Sequence, residues 1–197
     1  MNIFHEMKSE RGFAVTGGLI AGGVVLVVLV ICFSVYNGLV SSNENVNSKW
    51  SQVENQLQRR NDLIPNLVAT VQGIAAHENE VFNSVTTARA HMMSAQSVGD
   101  ISAADGELTQ ALGRLLAISE AYPEIKSDAN FRQLQDELAG TENRIAVARR
   151  DYNEAVQQFN TKIHTIPSSF FAGILGYHDR DYFKADEKAH EVPQVKF

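Results

Sequence analysis

The sequence predicts an all-α protein, an N-terminal transmembrane helix joined to an elongated helical bundle with coiled-coil-like packing. Three observations carry this. Phe13 to Val35, FAVTGGLIAGGVVLVVLVICFSV, is a run of 23 residues without a charge. Beyond it, apolar residues recur in steps of four and three, the period-3.5 pattern of a helix seam rather than the alternation of a strand. Prolines stand only at positions 65, 123, 167 and 193 of the 197 residues, which leaves long stretches free to be helical. That length holds one domain with an appendage and excludes an α/β barrel of about 250 residues.

The apolar run comes first. About 20 apolar residues cross the hydrocarbon core of a bilayer as a helix, so residues 13–35 are long enough to span. A cleaved signal peptide has a shorter apolar region, about 7–15 residues, closed by small residues. Here the exit is Phe33-Ser34-Val35, and Ile31 stands before Cys32 where a lipoprotein signal needs a small residue. An uncleaved single-pass anchor is expected, preceded by a short N-terminal tail, residues 1–12. Gly18 and Gly22, four apart, give a GxxxG pattern that would let two spans approach closely, although glycine is common in any transmembrane helix. Lys8 and Arg11 flank the N-terminal side, whereas the first base on the other side is Lys49. The positive-inside rule therefore puts the N-terminus in the cytoplasm and the bundle on the other side of the membrane.

The rest of the chain, residues 36–187, reads as the bundle. Its first seam runs Val46, Trp50, Val53, Leu57, Ile64, Leu67, Val71, Ile74, Val81 and Val85, interrupted by charge only at Arg60 and Glu78. Pro65 lies inside this pattern and should kink the helix, with Asn61 and Asp62 able to cap a restarted turn. Gly99-Asp100 marks the end of this first long helix. Ser102-Ala-Ala-Asp105 then opens a second helix as a capping box, with the seam Leu108, Leu112, Leu115 and Ser119, ended near Tyr122 by Pro123. The third helix starts around Asp128 and carries Phe131, Leu134, Leu138, Thr141, Ile145, Ala148, Tyr152, Ala155 and Phe159, continuing through Ile163 and Ile166 to Pro167. A short apolar segment follows, then a charged stretch of helical composition, and residues 188–197 read as an extended tail. One narrow apolar stripe per helix requires three or four helices to pack together.

Charge and motifs narrow the function. Lys8 and Arg11 balance Glu6 and Glu10, so the whole net charge of −6 belongs to the bundle and no basic tract is present. That speaks against nucleic acid as a partner. The single Cys32 forms neither an internal disulfide nor a zinc site. His77-Glu78 fails the HExxH spacing at its second histidine, and neither a GxSxG elbow nor a glycine-rich phosphate loop occurs in the bundle. No catalytic residue, metal or cofactor is expected. The densest polar stretches are Gln58–Asn66 and Thr141–Asn153. Within and beside them Arg59, Arg60, Asp62, Glu137, Glu142, Arg144 and Arg149 are the candidates for a polar network or an interaction site. Glu137 and Arg144 share a helix face, as do Glu142 and Arg149, each pair seven apart. Arg60 sits at a seam position, where it is costly unless a carboxylate from another helix meets it. Glu137 or Glu142 is the expected partner. The alternative is an anion sensor in which Arg59, Arg60, Arg144 and Arg149 converge between helices. Near the C-terminus, Phe170, Phe171, Ile174, Leu175 and Tyr177 either close the bundle's open end or form an interface.

Taken in order, these residues resemble the LemA family of bacterial membrane-anchored proteins. The marks are Tyr36-Asn37 after the span, Trp50, Gln58-Arg-Arg-Asn-Asp-Leu-Ile-Pro-Asn-Leu67, His77-Glu78, Ala88-Arg89 and Glu120-Ala-Tyr-Pro123. They continue with Asn130-Phe131, Thr141-Glu-Asn-Arg-Ile-Ala-Val-Ala-Arg149, Tyr152-Asn153, Asn160, Pro167 and the closing Pro193-Gln-Val-Lys-Phe197. The resemblance implies an antiparallel up-and-down four-helix bundle and supplies no reaction. By association with magnetosome membrane formation and with a membrane zinc protease, it implies a non-enzymatic scaffold or adaptor of the cell envelope. Homo-oligomers and an envelope protein partner, such as that protease, are the expected associations.

Overall fold

The computed structural model describes residues 3–184, with side chains from Gly18 onward. Six helices follow one another: α1 (Ile3–Gln72), α2 (Asn79–Ser94), α3 (Val98–Ala121), α4 (Pro123–Ser127), α5 (Ala129–His164) and α6 (Ser168–Leu175). No strand occurs among the described residues. The expected all-α fold with its N-terminal apolar helix is what the chain adopts.

The apolar run and the first bundle helix are one helix. At about 1.5 Å per residue the 70 residues of α1 extend for about 105 Å. Its apolar window packs against nothing else in the molecule, and the first fully buried side chain is Leu39. The bundle thus begins four residues after Val35. From there Val46, Val53, Leu57, Ile64, Leu67 and Val71 are buried, as the seam requires, while Trp50 is partly buried against the core. Pro65 faces solvent within a helix that continues past it, so no turn restarts at Asn61.

The chain reverses earlier than the sequence suggests. Gly73 to Glu78 form a turn, closed by the Ala75 amide on the Val71 carbonyl and the Glu78 amide on the Ala75 carbonyl. α2 is therefore a separate helix, burying Phe82, Val85, Ala88 and Met92. A six-residue turn is close to one heptad, so the apolar period carries through the reversal and hides it. Between α2 and α3 the cap is Ser97, whose hydroxyl accepts the Asp100 amide at 3.0 Å and donates to the Asp100 carboxylate at 2.7 Å. This replaces the box expected at Ser102–Asp105. Those two residues lie inside α3, and Asp105 is buried.

α1 and α5 are antiparallel along their common length: Lys49 meets Asp151 at 3.3 Å, and the Lys162 ammonium donates to the Gly38 carbonyl at 2.6 Å. The approach at Gly38 is close, since a Cβ there would lie 3.0 Å from Lys162 Nζ. α2 and α3 form a hairpin over one end of this pair, and α4 links α3 to α5. The α5 seam is buried as read, with Leu134 partly so. The helix stops at His164, however, and Ile166 is 91% exposed.

Because α2 and α3 have 16 and 24 residues against 36 in α5, they leave the groove between α1 and α5 uncovered at the end nearest the apolar run. A strap fills it. Gly176, with φ of 70°, lets the Tyr177 amide reach back to the Ala172 carbonyl and turns the chain around. Residues 178–184 then run extended, not helical as their composition suggested. The Asn160 side chain donates to the Arg180 carbonyl and accepts the Arg180 amide, and Asn153 does the same for Phe183. These pairs satisfy main-chain groups that no neighbouring strand could reach. The expected tail at residues 188–197 lies outside the described residues.

Candidate functional site

Where three helices and the strap meet, four charged side chains form a layer across the core. Arg60 comes from α1, Asp105 from α3, and Glu142 and Arg149 from α5. The Arg60 side chain is 1% exposed and that of Asp105 is 4% exposed. Arg60 Nη2 donates to Asp105 Oδ1, and Arg60 Nη1 donates to Glu142 Oε2 at 2.8 Å and to Thr109 Oγ1 at 3.2 Å. Arg149 Nη2 pairs with the other oxygen of Asp105. The guanidinium of Arg149 also stacks on Phe183 of the strap, 4.6 Å from Cζ to the ring centroid.

Two guanidiniums and two carboxylates make the layer neutral. Burial lowers the Arg60 pKa from its ordinary value, opposed by the charge of Glu142 and its hydrogen bond. Burial, and then the charge of Arg60, bring Arg149 down to about 10. Arg60 places both Nη atoms on carboxylates and Arg149 one, while the Nε–H of each is buried without a protein acceptor, a desolvation cost carried by the layer. Chemically this arrangement has charges to lock helices together and none in excess to capture an anion.

The sequence-predicted residues separate into two groups. Arg60, Glu142 and Arg149 come together, and Glu142 is the partner of Arg60, as one of the two carboxylates expected. Glu137 is not its partner: it accepts a hydrogen bond from Gln133 at 3.3 Å and lines an open groove with Arg59, Asp136 and Arg144. Asp62 is exposed beside α2, near Arg89. The four arginines therefore do not converge. Asp105, the residue that joins two of them, was read only as part of a cap. Its signal was the seam: it stands three residues before Leu108, one step back along the buried stripe of α3.

His77 and Glu78 do not form a reactive pair. Glu78 accepts the Tyr122 hydroxyl at 3.2 Å, which ties the start of α2 to the end of α3 and raises the Tyr122 pKa. Among the described residues no three His, Cys, Asp or Glu side chains are grouped to hold a metal ion. In the C-terminal candidates the two roles divide. Phe171 packs on the core and Tyr177 meets Phe159 edge-on at 5.6 Å, while Phe170 and Ile174 are 70% and 69% exposed and Leu175 is exposed beside them.

Fold and site together define a helical bundle carried on a membrane-length apolar helix, with its charged layer turned inward. Residues 49–197 match the LemA family, and the chain belongs to that family. Magnetosome protein MamQ 2 of Paramagnetospirillum magneticum is 30% identical, over 87% of this chain and 74% of the relative. Magnetosome protein MamQ of Magnetospirillum gryphiswaldense is 29% identical over 80% and 65%. Protein LemA of Metamycoplasma hominis is 24% identical over 77% and 69%.

Proposed function

We propose that this protein is a non-enzymatic, membrane-anchored scaffold or adaptor of the bacterial cell envelope that self-associates and organises membrane or serves a membrane protease. The observation that carries this reading is the charged layer in which buried Arg60 and Asp105 are paired with the partly exposed Glu142 and Arg149. The residues best suited to bind a ligand are occupied in holding the bundle together, so the outer surface of a tethered rod is what remains for recognition. The relatives named as magnetosome proteins support a role at a membrane. In this reading the N-terminus is cytoplasmic and the bundle extracytoplasmic, in the inner membrane. A phosphatase fused after Phe197 is then active in a Gram-negative host, and activity of a cytoplasm-only reporter there inverts the orientation.

The test is cross-linking of the full chain in native membranes. The expected result is a defined homo-oligomer together with an envelope protein. A chain that cross-links to nothing, or a purified chain that turns over an envelope substrate, overturns the scaffold reading.

A further inference from the structure

The three most exposed large apolar side chains described beyond α1, those of Ile166, Phe170 and Ile174, gather at one place. Ile166, Phe170, Ile174 and Leu175 lie on and just before α6, whose eight residues, Ser-Ser-Phe-Phe-Ala-Gly-Ile-Leu, carry no charge. The opposite face of α6 is anchored: Ser168 and Ala172 are buried and Phe171 packs on the core. A short helix with one face fixed and the other apolar and bare needs an apolar neighbour.

The position of α6 identifies that neighbour. α5 returns antiparallel to α1, and the bond from Lys162 to the Gly38 carbonyl places its end three residues past Val35. At about 1.5 Å per residue this is about 4.5 Å beyond the apolar run. The headgroup region on each side of a bilayer is about 5–8 Å deep. α6 packs against both α1 and α5, and Tyr177, two residues past its end, meets Phe159, one turn before Lys162. Phe33 and Tyr36 are exposed on α1 beside the same boundary, where aromatic rings favour the headgroup level. Beyond Gly176 the chain turns back along the bundle, and its next charges belong to the strap.

We propose that α6 is an interfacial helix, immersed by Ile166, Phe170, Ile174 and Leu175 in the headgroup–acyl boundary of the same bilayer that α1 crosses. It gives the bundle a second membrane contact and fixes the rotation of the rod about α1. Such helices sit about 5–10 Å into the boundary, the depth that this geometry offers. The placement is the same whichever side of the membrane carries the bundle.

The test uses the full chain with Cys32→Ser and one new cysteine carrying an environment-sensitive dye, in vesicles of phosphatidylcholine and phosphatidylglycerol. Ile174→Cys and Phe170→Cys report on α6, and Ser127→Cys reports on the far end of the bundle. Trp50 emission, set by Tyr152 at 5.0 Å, verifies that each variant is folded. The expected result is blue-shifted emission at 174 and 170, quenched by lipids spin-labelled high on the acyl chain, with neither effect at 127. Quenching at 174 and 170 by a water-soluble agent alone overturns the proposal. So does shielding from both quenchers that disappears when the protein is diluted in lipid, because a second copy then covers the patch.

Discussion

Arg60 and Asp105, 45 residues apart in sequence, meet through a charge-assisted hydrogen bond with their side chains almost wholly removed from solvent. The pair joins α1 to α3, which packs across its C-terminal half. Arg149 completes it from α5, and Phe183 places the strap over Arg149. A buried ion pair contributes little net stability over apolar residues of the same size, yet stranding one partner is expensive. Such a layer therefore selects one register among the several that a period-3.5 seam allows.

Phe183→Ala is expected to destabilise the bundle by about 3–5 kcal/mol, the range for truncating a buried aromatic ring. Phe183 is buried and its ring centroid lies 6.4 Å from that of Trp50. Trp50 fluorescence of the full chain in detergent therefore reads both the loss of stability and the opening of the strap, as a lower melting temperature and a red shift.

Asn153→Ala and Asn160→Ala each remove two hydrogen bonds to the strap and leave its main-chain groups unpaired, at about 1–3 kcal/mol per stranded group. The expected outcome is faster trypsin cleavage after Arg180 in both variants than in the parent. Equal cleavage rates would mean that Phe183, the Tyr152 hydroxyl on the Asp181 carbonyl and the Arg180 guanidinium on Asn43 and Asn47 hold the strap without the two asparagines.

Asp151 gives a pH dependence. Its hydrogen bond from Arg150, then that from Lys49, hold its carboxyl below the usual value. A folded-state pKa below the unfolded one means that the charged carboxylate stabilises the fold above the ordinary carboxylate range. That stabilisation fades as pH falls through the lowered pKa. Asp151→Asn is expected to be slightly less stable than the parent at neutral pH and equal to it in acid. Urea titrations at both pH values check the convergence.

The apolar positions that built these elements were legible because burial follows period: the α5 seam from Phe131 to Phe159 is inside as read. What the period could not show is direction. The reversal at Gly73 preserves phase, so one continuous stripe covers two helices. The strap was illegible for a different reason. Its bonds are made by Asn153 and Asn160 to backbone groups, which leave no trace in the side chains of residues 178–184, and its charges mimic an exposed helix face. In the charged layer, Arg60 was visible as a charge on an apolar stripe. Asp105 was masked by a serine three residues earlier, the spacing of a cap.

The claim that the arginines are there to hold the bundle is tested most directly by the stability of one variant against another. Asp105→Leu strands the Arg149 guanidinium and leaves Arg60 with Glu142 and Thr109 alone, and should cost up to about 3–5 kcal/mol. Adding Arg60→Met and Arg149→Met removes the stranded charges, and the triple variant should regain the stability of the parent or exceed it. Unfolding of the full chain, followed through Trp50, measures the difference. A triple variant less stable than Asp105→Leu alone would show that the arginines stabilise the fold independently of Asp105, and would contradict the account.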